Sequence, residues 1–276
     1  MLDFFSLLFS TILFRPYVFV FLAIYLIVAV LQMGLARTVI FTLLAYSIAF
    51  LSEYSSTRTG FPYGFYSYIQ ATTDKELWIS NVPFMDSLSY SFLSYCSFSL
   101  AIFLNNKIVR KKSDISIHHF ENGMRQKSVL YSSVILFVLL DVIIDPVALR
   151  GSKWFLGQIY HYHKHGYYFG VPLSNFAGWM IVGFCIIYLF QLINRRFFSN
   201  LAHGNLSLNK DTPYKDLLGP VLYFSVMLFN IFMTFYIDEY LLGFCGLMIM
   251  GIISTIFLKK IWKPGKNDFR KEKKFY

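Results

Sequence analysis

Charge is scarce in this 276-residue chain: only 14% of its residues are Asp, Glu, Lys or Arg, against 56% hydrophobic ones. A water-soluble domain of this length needs far more polar surface, so the composition excludes one. Cysteine is scarce too. Cys96, Cys185 and Cys245 all fall in apolar stretches and none has a CxxC spacing. That excludes a disulfide framework and a zinc knuckle and leaves them as small hydrophobes. No repeat of roughly 20–50 residues is visible, so repeat architectures lack their signature. The start, MLDFFSLLFSTILF, has neither a basic n-region nor a small-residue cleavage site. This argues against a removable signal peptide, and so short an apolar stretch suits an interfacial or half-inserted helix.

Long apolar runs are what the chain has instead. Residues 18–31, 175–193 and 217–237 carry no charge, and 82–104 carries only Asp86. Such runs match a hydrocarbon core of roughly 30 Å at about 1.5 Å rise per residue. The pattern predicts an all-α polytopic membrane protein with about seven transmembrane helices, at 16–32, 36–51, 82–104, 128–149, 174–193, 217–237 and 240–258. A single integral membrane domain is expected over 1–276, a helical bundle at 15–262 followed by a basic tail at 263–276. Nineteen of the 25 Lys and Arg fall in 105–127, 194–216, 259–276 or at Arg37, and seven spans put all of these on one side. The positive-inside rule makes that side cytoplasmic, with the N-terminus outside and the C-terminus inside a multi-pass cell-membrane protein. The net charge of +10 is thus assigned to topology and anionic-lipid contact rather than to nucleic acid.

The acidic residues sort the other way, with Glu53, Asp74, Glu76, Asp86, Asp141, Asp145, Asp238 and Glu239 at the opposite side or in that half of a span. Ionisable groups at membrane depth are costly and usually serve a cavity. Asp141 and Asp145, in LLDVIIDPVA, are four residues apart and share one helix face. Two carboxyls that close repel each other, which favours one of them keeping its proton, as a general acid must. Pro146 removes a backbone donor beside them. A plain capping or tethering pair is the competing reading. Asp86 sits one turn into the third span, where the helix dipole alone would favour an anion. Glu53, at the end of the second, lies where the dipole disfavours one, so a partner is expected, with Arg58 the candidate.

Aromatics make up 20% of the chain. They concentrate in EYSSTRTGFPYGFYSY (53–68) and GYYFGVPLSNFAGW (166–179), between Gly and Pro residues that set tight turns. An interfacial belt accounts for isolated Tyr and Trp. Their density here favours a lining for a long apolar or cation-forming ligand. The candidates for that lining are Tyr63, Tyr66, Trp78, Tyr167, Tyr168 and Trp179, with Arg58 and Asn175 as polar contacts.

TRTGFPYGFYSY, VPFMDSLSYSFLSY, DVIIDPVAL and GYYFGVPLSNFAGW, in that order from about Glu53 to Trp179, resemble the membrane carotenoid-biosynthesis proteins of the bisanhydrobacterioruberin hydratase and γ-carotene 1′-hydroxylase family. The resemblance implies a hydratase that adds water across the terminal C1–C2 double bond of an acyclic carotenoid ψ-end, giving a tertiary alcohol without a redox cofactor. Its partners would be a membrane-dissolved carotenoid, water, the bilayer and other enzymes of the pathway. The His-rich stretch GQIYHYHKHG, with His161, His163 and His165, is a departure from the family pattern. It is read either as altered substrate contacts or as a solvated loop.

Hydrating such an alkene needs an acid, a shielded cation and a positioned water. Asp141 and Asp145 are the candidate acid pair, Asp86 or Glu53 the base that orients water, and the aromatics the surface that stabilises the cation, at about 0.5–2 kcal/mol per cation–π contact. Rival classes fare less well. A retinal receptor needs a lysine buried in the last span, which has none before Lys259. A di-iron hydroxylase needs clustered histidines, whereas His118 and His119 fall on the opposite side from His161 to His165. A cofactor-free cyclase or isomerase, or a carotenoid-binding or transport protein, stays open.

Overall fold

The computed structural model describes residues 4–111, 114–198 and 212–262; the expected basic tail, 263–276, and Lys112 and Lys210 lie outside them. Nine helices are found among the described residues: α1 (Phe4–Phe14), α2 (Pro16–Met33), α3 (Leu35–Thr59), α4 (Phe84–Asn105), α5 (Phe120–Gly123), α6 (Lys127–Ala148), α7 (Leu173–Phe198), α8 (Lys215–Tyr236) and α9 (Tyr240–Trp262). Seven of these are long and apolar enough to cross a membrane, so the expected all-α polytopic architecture is what the chain adopts. Three short antiparallel ribbons join them: β1 (Tyr66–Tyr68) with β6 (Tyr160–Tyr162), β2 (Trp78–Ile79) with β3 (Val82–Pro83), and β4 (Ile108–Lys111) with β5 (Asp114–Ile117).

At the two extremes, burial runs opposite to hydropathy. The central helix α4 has the lowest mean hydropathy of the seven, 1.4, and 89% of its span is buried, whereas α9 has the highest, 2.4, and only 22% is buried. Lipid provides no hydrogen bonds, so polar residues go inside and the most apolar faces meet the acyl chains. Six serines on α4 fit this role because they are small and their hydroxyls find partners. Ser94 and Ser97 bond back to Tyr90 and Leu93 carbonyls, while Ser99 donates to Gln32 Oε1 at 2.9 Å. Gly219 of α8 lies where a Cβ would collide with the Ser99 side chain, so α4 and α8 approach closely there.

The helix limits differ from the hydropathy pattern in informative ways. The second span was expected to stop at residue 51, but α3 runs on to Thr59 and ends at Gly60, whose φ of 78° is a left-handed cap. Ser and Thr in SSTRT lower hydropathy without breaking a helix. Glu53 is therefore inside α3 rather than at its C-terminus, which removes the dipole argument for a cationic partner. The link between α2 and α3 is Gly34 alone, with φ 86°, a conformation that glycine adopts without strain.

One buried ion pair pins the N-terminal segment over the bundle. Arg15, between α1 and α2, holds Glu76 in a two-pronged contact at 2.9 and 3.0 Å and also donates to the Leu156 carbonyl. Both side chains are at most 2% exposed. Thr72 donates to Glu76 Oε1 at 2.5 Å, and the Leu77 N–H donates to Thr11 Oγ1 at 2.7 Å. At the opposite end, Arg37 pairs with Glu121 at 2.6 Å and its guanidinium lies 4.9 Å from the Phe198 ring. Arg125 donates to the Phe198 carbonyl and accepts, through its own carbonyl, from Arg195.

Two expectations follow. Glu76→Ala leaves Arg15 buried without its anion, which should destabilise the protein by about 3–5 kcal/mol in thermal unfolding in detergent, while replacing both with apolar residues should recover much of the loss. Glu239 joins the α8–α9 turn to the end of α6 through Lys153 (2.7 Å) and Arg150 (2.8 Å). Hydrogen bonding from Lys153, against a smaller desolvation penalty, and then from Arg150, holds its carboxyl below the usual range. Its contribution is present above the unfolded carboxyl value of about 4.3 and is lost as pH falls through the lower folded value. Glu239→Gln should thus lower the unfolding temperature slightly at pH 7, as expected for a partly exposed pair, and the gap from the parent should narrow as pH falls below about 4.

Candidate active site

The four carboxyls singled out above meet in one cavity. It has an empty volume of about 980 Å³, part of it open to the outside, and is walled by residues of α2, α3, α4, α6, α7 and α8. Glu53, Asp86, Asp141 and Asp145 lie at one end of it, and Tyr17, Phe21, Phe92, Leu93, Val226 and Phe229 line the apolar remainder. All four carboxyls stand at the end of the bundle away from Arg37, Arg125 and Arg195.

The helical spacing of Asp141 and Asp145 presents both to α7. There Asn175, in the first turn of α7, donates from one amide nitrogen to Asp141 Oδ2 at 2.7 Å and to Asp145 Oδ2 at 3.1 Å. Asp145 receives two more donors, Tyr162 at 2.8 Å on Oδ2 and Tyr160 on Oδ1. Asp141 is fully buried, and its Oδ1 has no hydrogen-bond partner among the described residues. Asp141 also lines the cavity, so this oxygen is available to a group bound there. On the neighbouring helices, Ser87 donates to Glu53 and Tyr68 donates to Asp86 at 2.6 Å.

The tyrosine donors come from the β1–β6 ribbon, in which Tyr66 faces Tyr162, Ser67 faces His161 and Tyr68 faces Tyr160. Strand residues alternate between faces, so the four tyrosines point into the cavity and the residues between them point out. Burial, and then the charge of Asp145, pushes the Tyr160 and Tyr162 phenols well above their usual range, which keeps both as O–H donors. Tyr66 packs edge-on against Tyr68 at 5.3 Å and Tyr160 at 5.8 Å. Deeper in, Trp179 stacks on Tyr90 at 4.6 Å and contacts Phe137 at 4.6 Å. Tyr63 is fixed by Ser56 Oγ, which accepts from its N–H at 2.9 Å, and by Ser174, which donates to its carbonyl at 3.0 Å. Gly178 makes room for it, since a Cβ there would strike the Tyr63 ring and the Pro62 backbone.

The expected lining is split by the structure. Tyr63, Tyr66, Asn175 and Trp179 line the cavity with the four carboxyls. Arg58, Trp78, Tyr167 and Tyr168 do not. Arg58 is not the partner of Glu53: it is exposed, lies 3.4 Å from the centre of the Tyr54 ring and donates to Asn81 at 2.7 Å. The extension of α3 to Thr59 turns it away, and Glu53 is satisfied by Ser87 instead. Trp78 packs behind Tyr68, edge-on at 6.0 Å. Tyr167 is 98% exposed, and Tyr168 packs against Phe169 and Phe176. Both belong to the turn 166–171, which folds back on itself rather than onto the cavity.

Tyr68, Tyr90, Tyr160 and Tyr162 were not anticipated. The signal for Tyr68, Tyr160 and Tyr162 was present in FYSY and YHYH, where tyrosine recurs at every second position as on a strand with one buried face; Tyr90, on α4, had none. The same alternation places His161 and His163 on the outer face, with His163 Nε2 and Ser67 Oγ 2.7 Å apart. Among the described residues, no group of three or more His, Cys, Asp or Glu is placed to hold a metal ion.

Comparison with curated proteins and with solved structures returns no match. A family model described as carotenoid biosynthesis protein matches residues 14–261. That stretch contains six of the seven membrane-length helices whole, all of α9 but its last residue, and every residue of the cavity, and the chain belongs to the carotenoid biosynthesis protein family.

Proposed function

We propose that this protein is a carotenoid 1,2-hydratase, adding water to the C1–C2 double bond of an acyclic ψ-end. The observation that carries the reading is the convergence of four carboxyls, three of them buried and Asp86 half-buried, at the polar end of an otherwise apolar, aromatic-walled cavity. An acyclic carotenoid dissolved in the bilayer has an end of this polarity and needs no polar recognition along its length. Glu53, Asp86, Asp141 and Asp145 supply the acid and base that hydration requires.

The Asp141–Asp145 pair shares one proton in this reading. Three donors compensate negative charge on Asp145, whereas Asp141 has one, so the proton resides on Asp141 and faces the cavity through Oδ1. Asp141 gives that proton to C2, and the π electrons form the new C–H bond, leaving a tertiary cation at C1. Trp179, Tyr90 and the ribbon tyrosines present their rings toward it, each worth about 0.5–2 kcal/mol. Water attacks C1 and loses a proton to Glu53 or Asp86, whose neighbours Ser87 and Tyr68 orient them. The sum is alkene plus water giving alcohol, with no electrons to an external acceptor and no cofactor. The apolar walls keep other nucleophiles and bulk water from the cation. In the same reading the basic end of the bundle faces the cytoplasm.

Expression in a bacterium that accumulates a ψ-end carotenoid should give a pigment heavier by one water on mass spectrometry. Asp141→Asn, which keeps the shape and the contact to Asn175 but cannot deliver a proton, should lower its formation about 10²-fold or more. A pigment of unchanged mass and altered spectrum would instead support cyclisation or isomerisation. Unchanged pigment from a membrane-inserted protein, with ψ-end substrate abundant, would contradict the hydratase assignment.

A further inference from the structure

Hydration at carboxyls held at one end of an otherwise apolar cavity needs a route by which water reaches them and the acid is recharged, and one residue stands where that route would run. A second, open recess of about 760 Å³ lies outside the cavity, lined by Arg150, Lys153, His161, His165, Glu239 and Tyr162. Tyr162 is shared, since it also lines the buried cavity. Its hydroxyl donates to Asp145 Oδ2 at 2.8 Å, and it is only part-buried. Tyr160 donates to the same carboxyl from the same strand, but it is buried and lines the inner cavity alone.

We infer that Tyr162 is the partition between the surface recess and the carboxyl pair, and that protons and water exchange with the cavity across it. A phenol can accept a proton on one side while giving its own on the other, and imidazoles in the recess can do the same. After Asp141 has protonated the alkene, the pair is recharged through Asp145. Asp145 takes the hydroxyl proton of Tyr162, and Tyr162 takes one from water or from His161 or His165 in the recess. The proton left on Glu53 or Asp86 by the attacking water returns to bulk, so one water is consumed and no net proton. This gives the His-rich stretch a task away from the substrate: the outward face of β6 and the turn after it line the outer chamber, and the inward face lines the inner one. The purpose assigned to the route rests on the hydratase reading; the route itself does not.

The test uses the full-length protein in membranes with no carotenoid present, so it stands whatever the protein does to pigment. Transfer to D₂O is followed by infrared spectroscopy of the carboxylic C=O band that Asp141→Asn or Asp145→Asn removes, at a pH acid enough to protonate the pair. Tyr162→Phe should slow its exchange at least tenfold, because the ring stays and the relay hydroxyl is gone. Tyr162→Ala should speed exchange beyond that of the parent, because the partition is opened. Tyr160→Phe, which removes an equivalent hydrogen bond from the same carboxyl, should exchange at the parent rate. Equal slowing in Tyr160→Phe and Tyr162→Phe, or parent-rate exchange in all three variants, would overturn the assignment.

Discussion

A carboxyl group held inside a bilayer must find its hydrogen-bond donors within the protein, and much of this architecture follows from that constraint. Water would otherwise solvate such a group, and an unsolvated one costs several kcal/mol. Four carboxyls therefore draw in a serine, an asparagine and three tyrosines. The helix that carries Asp86 and sits at the centre of the bundle is the least apolar of the spans. The serines that let it pack closely on α3 and α8 also satisfy Glu53 and Gln32. Polar chemistry is concentrated on the inside, and the outer helices, α9 above all, meet the lipid with apolar side chains.

The same constraint explains why this helical protein has a β-ribbon over its cavity. Helices alone could not aim four tyrosines into one end of the cavity, because side chains on a helix diverge around its axis. A two-stranded ribbon puts every second residue on one face, so β1 and β6 supply a compact set of phenols and keep His161 and His163 outside. The Arg15–Glu76 pair, which reaches the Leu156 carbonyl just before β6, holds the loop carrying that strand. In this way a buried ion pair outside the cavity positions donors within it.

The helical bundle was legible in the sequence because hydropathy over long windows reports helix existence directly. The carboxyl pair was legible as well, since four-residue spacing fixes a common face whatever the surroundings. Helix limits were less so. SSTRT carries α3 well past its apolar core, and no hydropathy window registers a polar extension that stays helical. That error produced the expected Glu53–Arg58 contact, which the actual length of α3 forbids. The ribbon was hidden for a different reason. Three residues of alternation in FYSY and in YHYH are too short to stand out, and pairing across some 90 residues has no local signature. The histidines drew attention where the tyrosines between them carried the contact. Tyr167 and Tyr168 are in the opposite position, lying in sequence between the cavity residues Tyr162 and Asn175 but held away by the turn at Gly166–Gly170.

The proposed chemistry makes a definite claim about where the new hydroxyl oxygen comes from, and isotope labelling tests that claim most directly. Cells expressing the protein with a ψ-end carotenoid would be incubated without oxygen in ¹⁸O-enriched water, and in parallel in ordinary water under ¹⁸O₂, before mass spectrometry of the hydroxylated pigment. Proton transfer followed by water capture predicts ¹⁸O in the product from labelled water under anaerobic conditions, and none from labelled oxygen gas. Product that forms only with oxygen present and carries its label would contradict hydration and assign the cavity to an oxidative reaction.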